Sequence, residues 1–368
     1  MATNRISKLE KMMASSDIDV IALNPGPTLS YLTGLEFHLM ERPTVFLISR
    51  EKGMAIILPE LEKAKLESLP FPIRTFFYGD NPELWHASFS QACVSLNITR
   101  QIIGVEPTRF RYLELKYLQD AVTNASFTSA ENFLSLVRMQ KDQDEINAMR
   151  QAALIAQNAL LQTLAFAKIG MTEKEFATEL SLQLLRAGSD PEFAFQPIVS
   201  TGINTANPHA SPTDKKFEPG NFLLVDWGAR FNGYCSDITR VFSIGNVPQK
   251  LAEIYEIVKL ANSAGREISK PDITAGEVDR AARNVIEKSG YGEYFFHRTG
   301  HGLGLEAHEP PYIFGENDQL LKPGMTFTVE PGIYLPDLGG VRIEDDVVIT
   351  ETGAKSLTDF PRELQQIT

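Results

Sequence analysis

The stretch VDWGARFNGYCSDITRVF, residues 225–242, decides how this chain is read. Apolar residues flank Asn232-Gly233, a pair suited to a two-residue type I′ turn because both central positions of that turn need positive φ. With those two as the loop, Phe231 faces Tyr234, Asp226 faces Thr239 and Asp237 faces Gly228. Both aspartates then project from one face of a hairpin as diagonal neighbours, close enough to share a cation. A carboxylate inside an apolar strand is costly unless a cation or hydrogen-bond donors compensate it. Taken alone, the hairpin also admits a plainer reading, with strand-end aspartates making surface hydrogen bonds.

Two later stretches bear on that choice. Residues 296–311 read FHRTGHGLGLEAHEPP and hold His297, His301 and His308, three of the six histidines in the chain. Gly300, Gly302 and Gly304 among them let backbone approach a neighbour closely. A single histidine is most often a structural residue, but this cluster points to a site. From Met325 to Ile349, MTFTVE reads as a strand ending in Glu330, Pro331-Gly332 as a break, and VRIEDDVVI as a strand carrying Arg342 and Glu344 on one face. Glu330 and Glu344 occupy places where apolar residues are expected. Asp345 and Asp346 read as structural. Two Asp, two Glu and one His carry too much charge for one divalent ion, whereas two ions flanking an activated water would balance it. Such oxygen-rich donors suit Mn²⁺ and related ions better than a structural zinc site.

Outward from these motifs, Ile146, Met149, Ala153, Ala156, Leu160 and Leu164 form the stripe of a long amphipathic helix, which Gly170 can terminate. Thr172 and Glu175 then form a capping box opening a second helix, with Phe176, Leu180 and Leu184 inward. The arrangement returns as a helix near 251–264, a capping box at Thr274 and Glu277, and a helix ending at Gly290. Strands follow each helix pair, which suggests an internal duplication. Before this region, residues 20–23, 44–48, 54–58, 73–78 and 102–105 read as short strands, with a hairpin at Lys52-Gly53 and an amphipathic helix within residues 1–19. That is a small α/β domain without a visible reaction centre. The boundary falls between 126 and 142, giving domains of about 1–130 and 131–368.

The 368 residues suit two or three domains. A formal charge of −12 argues against nucleic acid as a partner. Cys93 and Cys235 cannot build a disulfide framework and are expected to be reduced thiols in the cytoplasm. No apolar run approaches the ~18 residues needed to span a bilayer, and the N-terminus does not read as a secretory leader. The glycosylation patterns at Asn97 and Asn124 are therefore read as chance.

The stretches VDWGARFNGYCSDITR, HRTGHGLGLEAHE, TVEPGIY and GGVRIED resemble those of the pita-bread metallopeptidases, in particular prolidase and aminopeptidase P, from about Gln140 onward. The preceding part resembles the N-terminal domain these enzymes share with creatinase. The resemblance implies an α+β chain: a curved antiparallel sheet with two helix pairs, preceded by a smaller creatinase-like α/β domain. It implies two divalent metal ions (Mn, with Co, Zn or Fe as alternatives) held by Asp226, Asp237, His301, Glu330 and Glu344, with Asp237 and Glu344 bridging. It implies hydrolysis of the bond before proline in dipeptides or short peptides. His209 and His308 would contact substrate, Glu330 would move a proton to the leaving nitrogen, and Arg342 would brace the carboxylates. His297 fits a prolidase-like position. Several prolidases carry, four residues past His308, an arginine for the dipeptide carboxylate; here that position is Tyr312, a neutral phenol without the guanidinium fork. The loop from Tyr31 through His38, Glu41 and Arg42 resembles one that reaches an active site, often across a homodimer, and Arg42 is a candidate substitute. Two other readings use the same fold: a hydrolase or lyase acting on a small creatine- or ectoine-like molecule, and a non-catalytic binding protein.

Overall fold

Internal contacts divide residues 2–367, the part that the computed structural model describes, into two units, one ending at Arg138 and one beginning at Met139. In the first unit a six-stranded mixed sheet runs in the order Arg74–Tyr78, Gly53–Pro59, Val45–Ser49, Val20–Leu23, Ile102–Val105, Ser126–Ser129. Val20–Leu23 and Val45–Ser49 are buried along their whole length, so they read as unbroken apolar runs and not as alternating ones. All five expected strands form, and Gly53 takes positive φ at the expected hairpin. The sixth strand, Ser126–Ser129, was not expected. Its residues Ser-Phe-Thr-Ser offer one large apolar side chain, and only parallel pairing with Ile102–Val105 makes it a strand. The helix Ala2–Met13 buries Ile6, Leu9 and Met13 as their spacing indicates.

The second unit repeats one pattern twice. Helices Gln143–Leu164 and Glu173–Arg186 precede one group of strands, and helices Gln249–Ile268 and Ala275–Lys288 precede another. Both capping boxes form, at Thr172 with Glu175 and at Thr274 with Glu277. Asp142 with Glu145 makes a third at the first helix. The duplication extends to backbone bonding. Thr172 bridges Lys216, and the Glu173 amide donates to the Lys215 carbonyl; Thr274 bridges Leu320, and the Ala275 amide donates to the Gln319 carbonyl.

Two boundaries differ from expectation. The first helix stops at Leu164 with Ala165 as its cap, and Gly170 (φ 88°) lies in the following turn, where its amide donates to the Phe217 carbonyl. The last helix pair begins at Gln249, directly after Pro248, and its first helix reaches Ile268, because buried Gly265 and partly buried Ile268 carry the inward stripe past residue 264.

The strands of this unit form two main groups. One runs Gln365–Ile367, Ile238–Ile244, Phe222–Trp227, Ile198–Thr201; the other runs Glu309–Ile313, Gly300–Gly302, Thr326–Val329, Asp345–Ile349, Ala354–Ser356. Apart from Gln365–Ile367, which lies parallel to its neighbour, the pairings are antiparallel, and a bridge between Thr239 and Glu344 joins the groups. Helix pairs with this curved antiparallel sheet make the pita-bread arrangement. The strand Phe222–Trp227 shows how the sheet is covered on both faces. Leu223, Val225 and Trp227 join the core with the first helix pair, while Phe222 and Leu224 join the core with the second. By the same period Asp226 belongs to the Phe222 row. Among the described residues no helix is long and apolar enough to cross a membrane.

Thr172→Ala and Thr274→Ala each remove one cap, so each is expected to cost about 1 kcal/mol and lower the melting midpoint by about 2–4 °C in a thermal scan.

Candidate metal centre

The five residues expected to bind metal sit at places where strands end or break. Asp226 lies near the end of Phe222–Trp227, and Asp237 lies just before Ile238–Ile244. The hairpin keeps the expected register, with Phe231 opposite Tyr234 and Thr239 opposite Asp226, and Asn232 and Gly233 both take positive φ. The ladder is nevertheless interrupted between these pairs. The Ser236 carbonyl comes so near Gly228 that a Cβ there would lie 2.0 Å from its oxygen. Released from the ladder, the Asp237 amide donates to the Asp346 carboxylate at 3.0 Å. Asp346, expected to be structural, therefore holds the backbone of a candidate ligand.

The strand expected to carry Glu330 ends one residue earlier, at Val329. The expected continuous strand 341–349 is likewise broken. Gly339–Arg342 pairs with Gly332–Leu335, Asp345–Ile349 pairs with Thr326–Val329, and Ile343 and Glu344 lie between. The break has a physical cause, because the Glu344 amide is bonded to the Thr239 carbonyl of the hairpin. His301 lies in Gly300–Gly302, whose glycines answer what the backbone approaches. A Cβ on Gly300 would lie 1.9 Å from the Thr328 carbonyl oxygen, and one on Gly302 would lie 2.4 Å from that of Pro310. Thr328 Oγ1 accepts the His301 amide at 3.0 Å and donates to Glu330 at 3.3 Å.

These breaks gather the donors. Asp226, Asp237 and Glu344 offer one oxygen each within 4.8 Å of one another; His301, Glu330 and Glu344 form a second such group, and Asp237, His301 and His308 a third. His301 Nε2 lies 3.3 Å from Glu330 and 3.8 Å from Asp237. His308, expected at the substrate, lies beside His301 with ring centroids 3.9 Å apart and the planes tilted by 45°, and is exposed. His209 is also exposed, on the loop after Gly202–Ala206. Tyr312 is the cross-strand partner of His301. His38 and Arg42 belong to the first unit, where Arg42 pairs with Glu41 and Asp80 at 3.0 Å each.

Arg342 ties the cluster together. It donates to Asp226 at 2.5 Å, to Thr239 Oγ1 at 3.1 Å and to Tyr334 Oη at 3.0 Å, and Thr239 in turn donates to Glu344 at 2.6 Å. His297 completes the chain. Its Nδ1 faces the Arg298 carbonyl at 2.7 Å, which can only accept, so Nδ1 carries the proton and Nε2 accepts from Tyr334 Oη at 2.9 Å.

The electrostatics favour bound cations. Burial lifts Asp237 and Glu344 well above the usual carboxylate range, and neighbouring carboxylates raise them further. Burial lifts Asp226 against the pull of Arg342, and lifts Glu330 to about 7. Burial also holds His301 well below the usual imidazole value, so it presents a neutral nitrogen. The second oxygen of Asp226 is buried and has no hydrogen-bond partner among the described residues. Four carboxylates braced by Arg342 leave more negative charge than one divalent ion neutralises, so the residues present fit a metal group.

Several supporting residues escaped the sequence. Arg240 is buried and donates to the Glu344 and Phe360 carbonyls and to Asp345. Burial works against the Asp345 charge, yet Arg240 and Arg362 hold this carboxyl below its usual range, and its role is structural as expected. Glu173 is fully buried and accepts from the Thr201 amide, Asn204 and both the amide and hydroxyl of Thr213, pinning both ends of the loop that carries His209. Its counterpart in the second half is Ala275, so the capping box does not require this carboxylate. An acidic residue in a helix's first turn carries no signal of that duty.

The profile of the metallopeptidase family M24 matches residues 147–351, and the Creatinase/Prolidase N-terminal domain matches residues 5–140. The chain belongs to metallopeptidase family M24. It is 34% identical to an Xaa-Pro dipeptidase of Lactobacillus helveticus, covering 98% of both chains. The solved dipeptidase of Pyrococcus horikoshii OT3 is 39% identical with a TM-score of 0.93, covering 98% of this chain and 99% of that one. The solved prolidase of Thermococcus sibiricus is 34% identical with a TM-score of 0.93, covering 100% and 99%. The family is one of metallopeptidases, and the acidic and imidazole cluster of this chain is a group that could hold divalent metal.

Two outcomes follow from this geometry. Burial holds His297 down at about 4, below its usual value near ~6.5 in an unfolded chain, so its contribution to stability is complete above ~6.5 and is lost as pH falls toward 4. In denaturant titrations of the metal-free protein, wild type should therefore lose more stability than His297→Gln across that window. Glu173→Ala strands several buried donors and should cost about 3 kcal/mol in the same assay.

Proposed function

We propose that this metallopeptidase is an Xaa-Pro dipeptidase whose centre holds two divalent ions, with manganese the best match. The single observation that carries the reading is the convergence of Asp226, Asp237, His301, Glu330 and Glu344 in one buried cluster with Arg342 behind it. The names and full-length coverage of the relatives support the proline specificity and the dipeptide length. Asp226, Asp237 and Glu344 would hold one ion, and His301, Glu330 and Glu344 the second; Glu344 belongs to both groups, and Asp237 lies 3.8 Å from His301 Nε2. Carboxylates outnumber imidazole in this set, which favours oxygen-seeking Mn²⁺ over the Cys- and His-rich preference of structural zinc.

Bound divalent ions supply an acidified water and a polarised scissile carbonyl. The protein's own groups do the rest. Arg342 and Thr239 hold Asp226 and Glu344 in position and favour their charged forms against the effect of burial. His209 and His308, both open to solvent beside the cluster, donate to the oxygen that becomes negative as the carbonyl carbon turns tetrahedral. Glu330, beside His301 in the cluster, would accept a proton and deliver it to the departing nitrogen. That delivery matters for proline, whose amide nitrogen carries no hydrogen of its own. We assign the working form to a homodimer in the cytoplasm; the two buried, unbridged cysteines support a reducing setting. A monomeric mass with full activity by light scattering would refute the dimer.

The decisive assay is hydrolysis of Ala-Pro, Ala-Pro-Ala and a proline-free control such as Ala-Ala, with added Mn²⁺, Co²⁺ or Zn²⁺ after chelation. Cleavage of Ala-Pro alone, restored by metal, is the expected result; preference for Ala-Pro-Ala would make the enzyme an aminopeptidase. Asp237→Asn should lower kcat by at least about 10³-fold and reduce bound metal while keeping the circular dichroism spectrum. Full activity in the chelated protein would refute the metal mechanism.

A further inference from the structure

The buried residues of the helix Gln249–Ile268 are aliphatic, aromatic or glycine, with one exception, Asn262. Asparagine is a poor helix former, and a buried carboxamide is costly unless each of its polar atoms is bonded. Here each one is. Nδ2 donates to the Val329 carbonyl at 2.8 Å and to the Ile343 carbonyl at 3.2 Å, and Oδ1 accepts from Arg266 Nε at 2.7 Å. A guanidinium can only donate and a carbonyl can only accept, so the amide has one orientation.

The two carbonyls have a particular place in the chain. Val329 directly precedes Glu330, and Ile343 directly precedes Glu344. Val329 ends its strand, and Ile343 lies in the gap between Gly339–Arg342 and Asp345–Ile349. Asn262 therefore joins the two points at which regular structure is interrupted beside a candidate ligand, across 67 and 81 positions of chain. The amides of the same two peptide planes are bonded elsewhere, Glu330 to the Thr299 carbonyl at 2.7 Å and Glu344 to the Thr239 carbonyl at 3.2 Å. Each rigid plane leading into a glutamate is thus held at both of its polar ends. Gly265, one turn along the helix, permits the approach, since a Cβ there would lie 2.8 Å from Val329 Cγ1.

We propose that Asn262 is a positioning residue for the metal centre. By gripping the peptides that lead into Glu330 and Glu344, it sets the separation of these carboxylates and so the affinity of the ion held by His301, Glu330 and Glu344. The inference rests on the two-ion reading above and adds to it a buried amide that belongs to neither ion's ligand group. The other group, Asp226, Asp237 and Glu344, contains only one of the two gripped residues, so its ion depends on Asn262 less.

Calorimetric titration of Mn²⁺ into the metal-free protein tests this. Wild type is expected to take up two ions per chain, and His301→Ala marks which uptake belongs to the His301 group. Asn262→Leu, which removes all three bonds, should weaken that ion by about ten- to hundred-fold and the other by less than about three-fold. Asn262→Asp keeps the shape but turns an acceptor toward the two carbonyls. Its added charge by itself would tighten a nearby cation, so a weaker ion in this variant reports geometry, and it carries the test if the leucine variant does not fold. Val258→Ala, on the same helix, opens a cavity but removes no hydrogen bond; it should lower the melting midpoint and keep both affinities. Folded Asn262 variants that bind both ions as wild type does, or weaken both equally, overturn the role of Asn262 alone. So does a Val258→Ala protein with the same selective loss. Wild type that takes up one ion or none overturns the two-ion reading and the inference together.

Discussion

Four carboxylates, Asp226, Asp237, Glu330 and Glu344, occupy one buried pocket with a neutral imidazole, and their mutual repulsion is the constraint around which the second unit is built. Charges so placed are unfavourable unless cations and donors compensate them, and burial accounts for the largest part of every upward shift among these acids. The protein answers part of that cost itself. Arg342 spans from Asp226 to Thr239, and through Thr239 to Glu344, so one guanidinium serves two carboxylates that arrive from different strands.

Where the candidate ligands converge, regular structure gives way at or beside most of them. The hairpin ladder opens at Gly228 and Asp237, the strand Gly339–Arg342 ends before Glu344, and Glu330 lies one step beyond Thr326–Val329. Each released backbone group finds another partner: Asp346 for Asp237, the Thr239 carbonyl for Glu344, the Thr299 carbonyl for Glu330. The outer layer is held by similar means, with Glu173 fastening the His209 loop and Asp279 and Arg283 fastening the segment before His301. Residues outside the cluster thus decide where its members, and the loop that carries His209, are pointed.

Much of this was legible beforehand where local chemistry has few solutions. Asn232-Gly233 admits few turns, and it set the register that places Asp226 opposite Thr239. The capping boxes at Thr172 and Thr274 and the apolar stripes between them announced two matching helix pairs. The strand Ser126–Ser129 was not legible, since nothing in four mostly polar residues calls for a sheet. Nor were Arg240 and Glu173, because a lone charged residue in a sequence looks the same whether it lies in solvent or in the core.

The amino-acid sequence by itself determined the periodicities, the turns and the presence of five unusual donors in otherwise apolar or glycine-rich surroundings, since these depend on neighbours a few residues away. Tertiary structure alone decided which charges meet. Arg298 resting on Tyr312 instead of pairing with an acid, and Arg342 reaching Asp226 across 116 positions of chain, are results of strand packing. Coulombic and hydrogen-bond energies depend on distance in space, and separation along the chain does not report that distance.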